Sequence, residues 1–141
     1  QDVQGSLVKY RVDYRVVRYG DYTPGAYREL LSESAFAIFL SASESQGLAL
    51  FEAWASDVPT LVWDPGVASY HNYQFNPVTS APYLTKKRGL AWREIDELDK
   101  ILAKMSAVEK LRPREEVLEK HSDEASARDF LNILKRRGFR I

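Results

Sequence analysis

The tightest constraint on how this chain can fold is a pair of short apolar runs set one helix apart. Ala35-Phe36-Ala37-Ile38-Phe39-Leu40 has no polar position, and Thr60-Leu61-Val62-Trp63 has only its threonine. A strand with one wet face alternates; a run apolar on both faces predicts a central strand of a parallel sheet, covered by helices on each side. The intervening chain supplies a helix. From Gly47 to about Asp57, Leu48, Phe51, Ala55 and Trp54 recur at spacings that turn them inward, and Asp57-Val58-Pro59 stops the run. Strand, helix, strand with short connections is a βαβ unit, whose strands run parallel.

Other segments extend the alternation. Leu7 to Tyr19 mixes β-branched and aromatic residues, and Tyr14, Val16 and Val17 predict a first strand ending at Gly20. Thr23-Pro24 reads as the N-cap and first residue of a helix to about Ser34, with Tyr27, Leu30 and Leu31 along it. Asp64-Pro65-Gly66 is a turn, and Val67 to Ser80 is expected to be a long loop. Residues 81–85 and 89–92 read as short strands or extended segments, with Lys86-Lys87-Arg88 as a solvated turn between them. Ile95, Leu98, Leu102 and Met105 predict an amphipathic helix, and Pro113 opens a short one. Ser122 caps a last helix, with Asp123 and Glu124 at its positive end and Lys135, Arg136 and Arg137 at its negative end. Its expected buried stripe is Ala127, Phe130, Leu131 and Leu134, and Gly138 ends it. Residues 1–6 are expected to be disordered. The expectation is a single domain over residues 1–141, α/β in class, with a doubly wound, Rossmann-like parallel sheet.

Charge and composition exclude several functions. Lys plus Arg number 20 and Asp plus Glu number 20, so the basic excess of a general nucleic-acid or anionic-membrane binder is missing. There is no cysteine, which removes disulfides, thiolate metal sites and a Cys nucleophile. With His71 and His121 the only histidines, no metal site is assigned. No apolar run is long enough to span a bilayer, so no integral membrane segment is expected, and a cytoplasmic location is the expectation. The chain opens on Gln1 rather than Met and is read as a piece of a longer protein.

The chemistry-bearing segment is Ser43-Glu44-Ser45-Gln46-Gly47-Leu48-Ala49-Leu50-Phe51-Glu52-Ala53. Glu44 lies just past a buried strand, and Glu52 lies eight residues on, in the second turn of the next helix. Ligands of open α/β sheets bind beyond the carboxyl ends of the strands. The N–H groups from Gly47 to Leu50 would point there with the positive end of the helix dipole, an anion site suited to a diphosphate. Gly47 lets the backbone approach closely. Two carboxylates beside an anion repel it unless each has hydroxyl donors to bind. Glu52 suits a pair of ribose hydroxyls and Glu44 the hydroxyls of an attached sugar, so a nucleotide sugar fits better than a bare nucleotide.

This segment resembles the E-x(7)-E signature of retaining GT-B glycosyltransferases, the group that includes glycogen synthases, sucrose synthases and many bacterial sugar transferases. The form S-E-S-x-G-L-x-x-x-E-A matches from Ser43 to Ala53, and the family's Ala-x-x-x-x-Pro followed by an apolar strand matches Ala55 to Trp63. The resemblance covers about Tyr14 to Leu134 and is strong from Tyr19 to Gly66. It implies the C-terminal, donor-binding half of a GT-B enzyme that moves a hexose from a nucleoside-diphosphate sugar to an acceptor hydroxyl with retention. By resemblance, Glu44, Gln46 and Gly47 hold the donor sugar, Gly47 and Leu48 the distal phosphate, Glu52 the ribose, and Asp21, Tyr22 and Thr23 line the base. No cofactor or metal is implied beyond the donor.

The family's diphosphate-stabilising Arg and Lys lie further upstream of the signature. Lys9, Arg11, Arg15 and Arg18 are at the wrong distance and receive no such role, so no catalytic residue is assigned. The acceptor would be bound by an N-terminal domain that this chain does not include, and the piece alone is expected to bind donor weakly and not to turn over. Two other readings stay open. A flavodoxin-like receiver domain would use Asp64 as its phosphorylated acid, but the acidic pair it needs after the first strand is missing. A non-catalytic α/β interaction domain would look the same over these residues.

Overall fold

The computed structural model describes residues 2–139. In chain order the elements are α1 (Val3–Lys9), α2 (Pro24–Ser32), β1 (Ala37–Phe39), α3 (Leu48–Ala55), β2 (Thr60–Trp63), β3 (Ala68–Tyr70), β4 (Tyr73–Phe75), β5 (Gly89–Trp92), α4 (Ile95–Leu102), α5 (Met105–Val108), α6 (Pro113–His121) and α7 (Asp123–Arg136). The class is mixed α/β. Its sheet has three parallel strands in the order β1-β2-β5, and β3 and β4 form a separate antiparallel ribbon. Ala37, Ile38 and Phe39 pair with Thr60, Leu61 and Val62, which in turn pair with Gly89, Leu90 and Ala91.

The pleat sends alternate side chains to opposite faces of the sheet. One face carries Ile38, Leu61, Trp63, Leu90 and Trp92, packed with Leu7 of α1, Leu98 and Leu102 of α4, and Val108 of α5. The other face meets α2 and α3. There Ala37 and Phe39 pack with Tyr27, Leu31 and Ala53, and Val62 packs with Leu50 and Trp54. Trp54 is fully buried, and its indole N–H donates to Thr60 Oγ1 at 3.0 Å, so a polar strand residue is satisfied inside the core.

Helix starts follow the local chemistry. Thr23 Oγ1 accepts from the Ala26 N–H and Pro24 opens α2; Ser122 Oγ accepts from Ala125 and opens α7. The Schellman pattern ends α3, with Asp57 left-handed at φ +63° and the Val58 N–H reaching Ala53 O at 2.9 Å.

Several expectations change. The opening is helical from Val3, where disorder was expected over residues 1–6, because Asp2 Oδ1 accepts from the Gly5 N–H and Leu7 enters the core; Gln1 lies outside the described residues. The strand expected within Leu7 to Tyr19 and ending at Gly20 does not form: Leu7 to Lys9 belong to α1, and residues 12–18 carry no strand pairing. The apolar run 35–40 gives the edge strand β1, half-buried, while β2 is the central one. In α3, Leu48 and Ala55 face solvent, and Leu50, Ala53 and Trp54 take the inward positions. Val67 to Ser80 holds the β3–β4 hairpin around His71 and Asn72, rather than a structureless loop. The expected stripe of α7 is largely exposed, with Phe130 60% and Leu131 40% accessible, and Ala125 is its buried residue.

Arg88, expected in a solvated turn, is buried. Its guanidinium Nε lies 3.1 Å from Glu116 Oε2 on α6, its Nη1 donates to Tyr83 O, and its plane sits over the Trp54 ring at 5.0 Å. Glu116 also accepts from Thr85 and Lys120. This buried charge cluster joins the start of β5 to α3 and α6.

Candidate functional site

Three connections leave the carboxyl ends of the parallel strands: Ser41–Gly47 after β1, Asp64–Gly66 after β2, and Arg93–Glu94 after β5. Side-chain and main-chain bonds tie the first two together. Asp64 Oδ2 accepts from Thr79 Oγ1 at 2.9 Å and its Oδ1 from the Ser80 N–H at 3.1 Å. Ser80 Oγ donates to Ser41 O, and the Glu44 N–H donates to Thr79 O at 2.9 Å. Asp64, read from the sequence as a turn residue, is therefore the anchor that fixes the loop carrying Glu44. An acid at the end of an apolar strand was the available signal.

The chain enters α3 through Gly47 at φ +77°, a left-handed conformation that glycine adopts without cost. A Cβ there would come 2.9 Å from Leu50 Cδ1 and 3.2 Å from Glu44 Cγ, so Gly47 and the Glu44 side chain are in close contact. Glu44 Oε1 accepts from the Ser45 N–H at 3.0 Å. The helix has no side-chain cap. Its first amides, those of Leu48, Ala49 and Leu50, have no partner within the helix by geometry, and they stand at the positive end of the dipole. Ser43 to Gln46 are exposed and Leu48 is 67% accessible, while Gly47 between them is buried.

Glu52 sits one turn below Leu48 on the same exposed face of α3. Its charge is felt by Tyr27 of α2, whose hydroxyl is pushed well above the ordinary phenol range, first by burial and then by Glu52 and Tyr22. Tyr27 therefore stays protonated, and its O–H donates to Ala49 O at 3.0 Å, holding the first turn of α3. The Tyr22 ring packs at a tilt against Tyr27, with centroids 5.1 Å apart and planes at 39°. The structure thus brings Gly47 against Glu44, and sets the Asp21–Thr23 loop beside the Ala49–Glu52 face through Tyr27. Tyr27 was read from the sequence only as a helix residue, since its partner on α3 is set by tertiary packing.

A shallow groove of about 710 Å³ runs between Asp21-Tyr22-Thr23, Val16-Val17 and Ala26; neither Glu44 nor Glu52 lines it. Among the described residues no group of three His, Asp or Glu side chains could hold a metal ion, and no helix is long and apolar enough to cross a membrane. Comparison of the chain with protein-family models, with curated proteins and with solved structures gave no match.

Proposed function

We propose that this chain is the donor-binding, Rossmann-like half of a retaining GT-B glycosyltransferase, taking a nucleoside-diphosphate sugar at the turn into α3. The observation that carries the reading is the uncapped α3 N-terminus at left-handed Gly47, itself buried beneath the Glu44 side chain between the exposed residues Ser43–Gln46 and Leu48, with Glu52 one turn along. Backbone amides and the helix dipole bind the distal phosphate at Gly47 and Leu48. Glu44, with Gln46 and Gly47, holds the sugar, and Glu52 holds the ribose hydroxyls. The Asp21-Tyr22-Thr23 loop, packed against Tyr27 through Tyr22, faces the base.

In the whole enzyme, an N-terminal domain binds the acceptor and upstream cations stabilise the departing diphosphate. The residues here then supply donor registration and part of the electrostatic stabilisation. The scheme runs without a metal and suits a cytoplasmic hexosyltransferase. The test is calorimetric titration of the chain with UDP, GDP and ADP. One of the three is expected to bind weakly, and Glu52→Ala to abolish that binding. Equal binding by both proteins, or none by the wild type, overturns the proposal.

A further inference from the structure

The β3–β4 ribbon is a surface that the donor scheme leaves unused. Cross-strand pairs Ala68 with Phe75, Ser69 with Gln74 and Tyr70 with Tyr73 put Tyr70, Tyr73 and Phe75 on one face of the ribbon. All three rings are open to water, at 69%, 71% and 50% of their surface. Apolar ring surface is unfavourable to hydrate and burial removes that cost, so three rings on one face point to an occupant.

The ribbon is held firmly at its base. Val78 donates to Gly66 O at 3.1 Å, and Asp64 grips Thr79 and Ser80 immediately beyond. Thr79 O also accepts from the Glu44 N–H, so the aromatic ribbon and the loop of the candidate site share one anchor.

The chemistry of the surface selects among ligands. Between Asp64 and Lys86 there is no Asp, Glu, Lys or Arg. A nucleic-acid strand needs cations for its phosphates, and an anionic membrane needs them for its headgroups. Ser69 and Gln74 pair on the opposite face; the polar groups at the ends of the aromatic face are His71 and Asn72 in the turn and Asn76 beyond Phe75, which both donate and accept, as sugar hydroxyls do. The C–H face of a pyranose carries slight positive charge and rests on the negative face of an aromatic ring. We propose that the Tyr70–Tyr73–Phe75 face is a platform for an uncharged oligosaccharide, the near wall of the acceptor site. This rests on the sugar-transfer reading above; it places part of the acceptor site on the donor half, facing whatever the N-terminal domain contributes.

The test is an NMR titration of the 141-residue chain with maltotetraose, cellotetraose and mannotetraose, each to tens of millimolar, following aromatic ring resonances. At least one sugar is expected to shift the Tyr70, Tyr73 and Phe75 signals. Tyr73→Ser should weaken that binding by about tenfold or more, Tyr73→Phe should keep it, and Tyr70→Ser should repeat the loss from the other strand. Nucleotide binding should be unchanged in Tyr73→Ser. No ring shift with any of the three sugars, or shifts that survive both serine variants, overturns the inference. So do ring shifts that track protein concentration without sugar, which mean that a second copy covers the face. Absence of sugar binding with Glu52-dependent nucleotide binding intact removes only this platform; sugar binding without Glu52-dependent nucleotide binding removes the donor reading and the acceptor role built on it, and leaves a sugar-binding face alone.

Discussion

At the scale of single residues, two left-handed positions govern α3, one at each end. Asp57 occupies the site after the C-cap at φ +63°, where glycine is usual, and its Oδ1 accepts from the Arg114 N–H in the first turn of α6 at 3.2 Å. One residue thus ends one helix and caps another. Asp57→Ala loses both the tolerance of that conformation and the acceptor, and is expected to cost about 1–2 kcal/mol in urea unfolding. Asp57→Asn keeps both and should stay within about 0.5 kcal/mol of the wild type. At the other end, Gly47→Ala meets Leu50 and Glu44 as well as an unfavourable φ. It is expected to cost about 1–2 kcal/mol and to weaken nucleotide binding beyond that loss of stability. The need for glycine at residue 47 was legible, because a tight turn into an anion-binding helix requires it. The stop at residues 57–59 was legible too, but not the tie from Asp57 to Arg114, whose partner lies far along the chain. Nor was Tyr27, which supports Ala49 only once α2 has packed on α3.

Among the elements, existence was easier to read than position. The run at residues 35–40 announced a strand, yet apolar residues on both faces mark burial, not rank within a sheet. The centre went to β2 because β5 pairs on its far side, and that pairing depends on Gly89. A Cβ on Gly89 would fall 2.0 Å from Thr60 O, which is backbone and cannot swing away. Gly89→Ala should therefore force β5 off β2, with a loss above about 3 kcal/mol or failure to fold, read by thermal circular dichroism. Gly25→Ala, in the first turn of α2 with only Thr23 Oγ1 near it at 4.0 Å, is the control and should be neutral or slightly stabilising. The hairpin carried its own signal, Ala-Ser-Tyr and Tyr-Gln-Phe with period two around His71-Asn72, which the aromatic density of the segment obscured. The stripe on α7 was a true amphipathic pattern. What periodicity does not state is whether a surface exists to receive it, and here Phe130 and Ile133 remain more than half exposed. Amides of residues 127–136 are accordingly expected to exchange with deuterium well before those of α3, whose inner face is buried. Equal protection in the two helices would contradict this placement.

For the molecule as a whole, the buried charge cluster predicts how the fold fails. Arg88 and Glu116 are 1% and 4% accessible and link β5, α3 and α6, so the core on that face of the sheet depends on an ion pair as well as on apolar packing. Burial alone would push the Glu116 carboxyl up. The bonds from Lys120 and Thr85 and the charges of Arg88 and Lys120 outweigh burial and hold it down at about 2. A carboxyl lowered in the folded state stabilises the fold above its unfolded value near 4.5, and that contribution fades as pH falls through 2. It is worth at most about 3 kcal/mol. His121, edge-on to the Phe51 ring at 5.0 Å between centroids, is lowered by burial first and then by the charge of Arg88. The folded chain therefore resists its protonation, and stability also falls as pH drops below the ordinary histidine value of 6.5. Both effects have one sign. Urea midpoints should decline from pH 7 to 5 through His121 and more steeply below pH 4.5 through Glu116. His121→Gln should flatten the upper part of that curve. Glu116→Gln should flatten the lower part while lowering stability at pH 7 by about 3 kcal/mol or more, because Arg88 is left buried beside a neutral side chain. A Glu116→Gln protein with the wild-type acid profile would mean that the cluster does not hold the domain together, and that apolar packing against the sheet suffices.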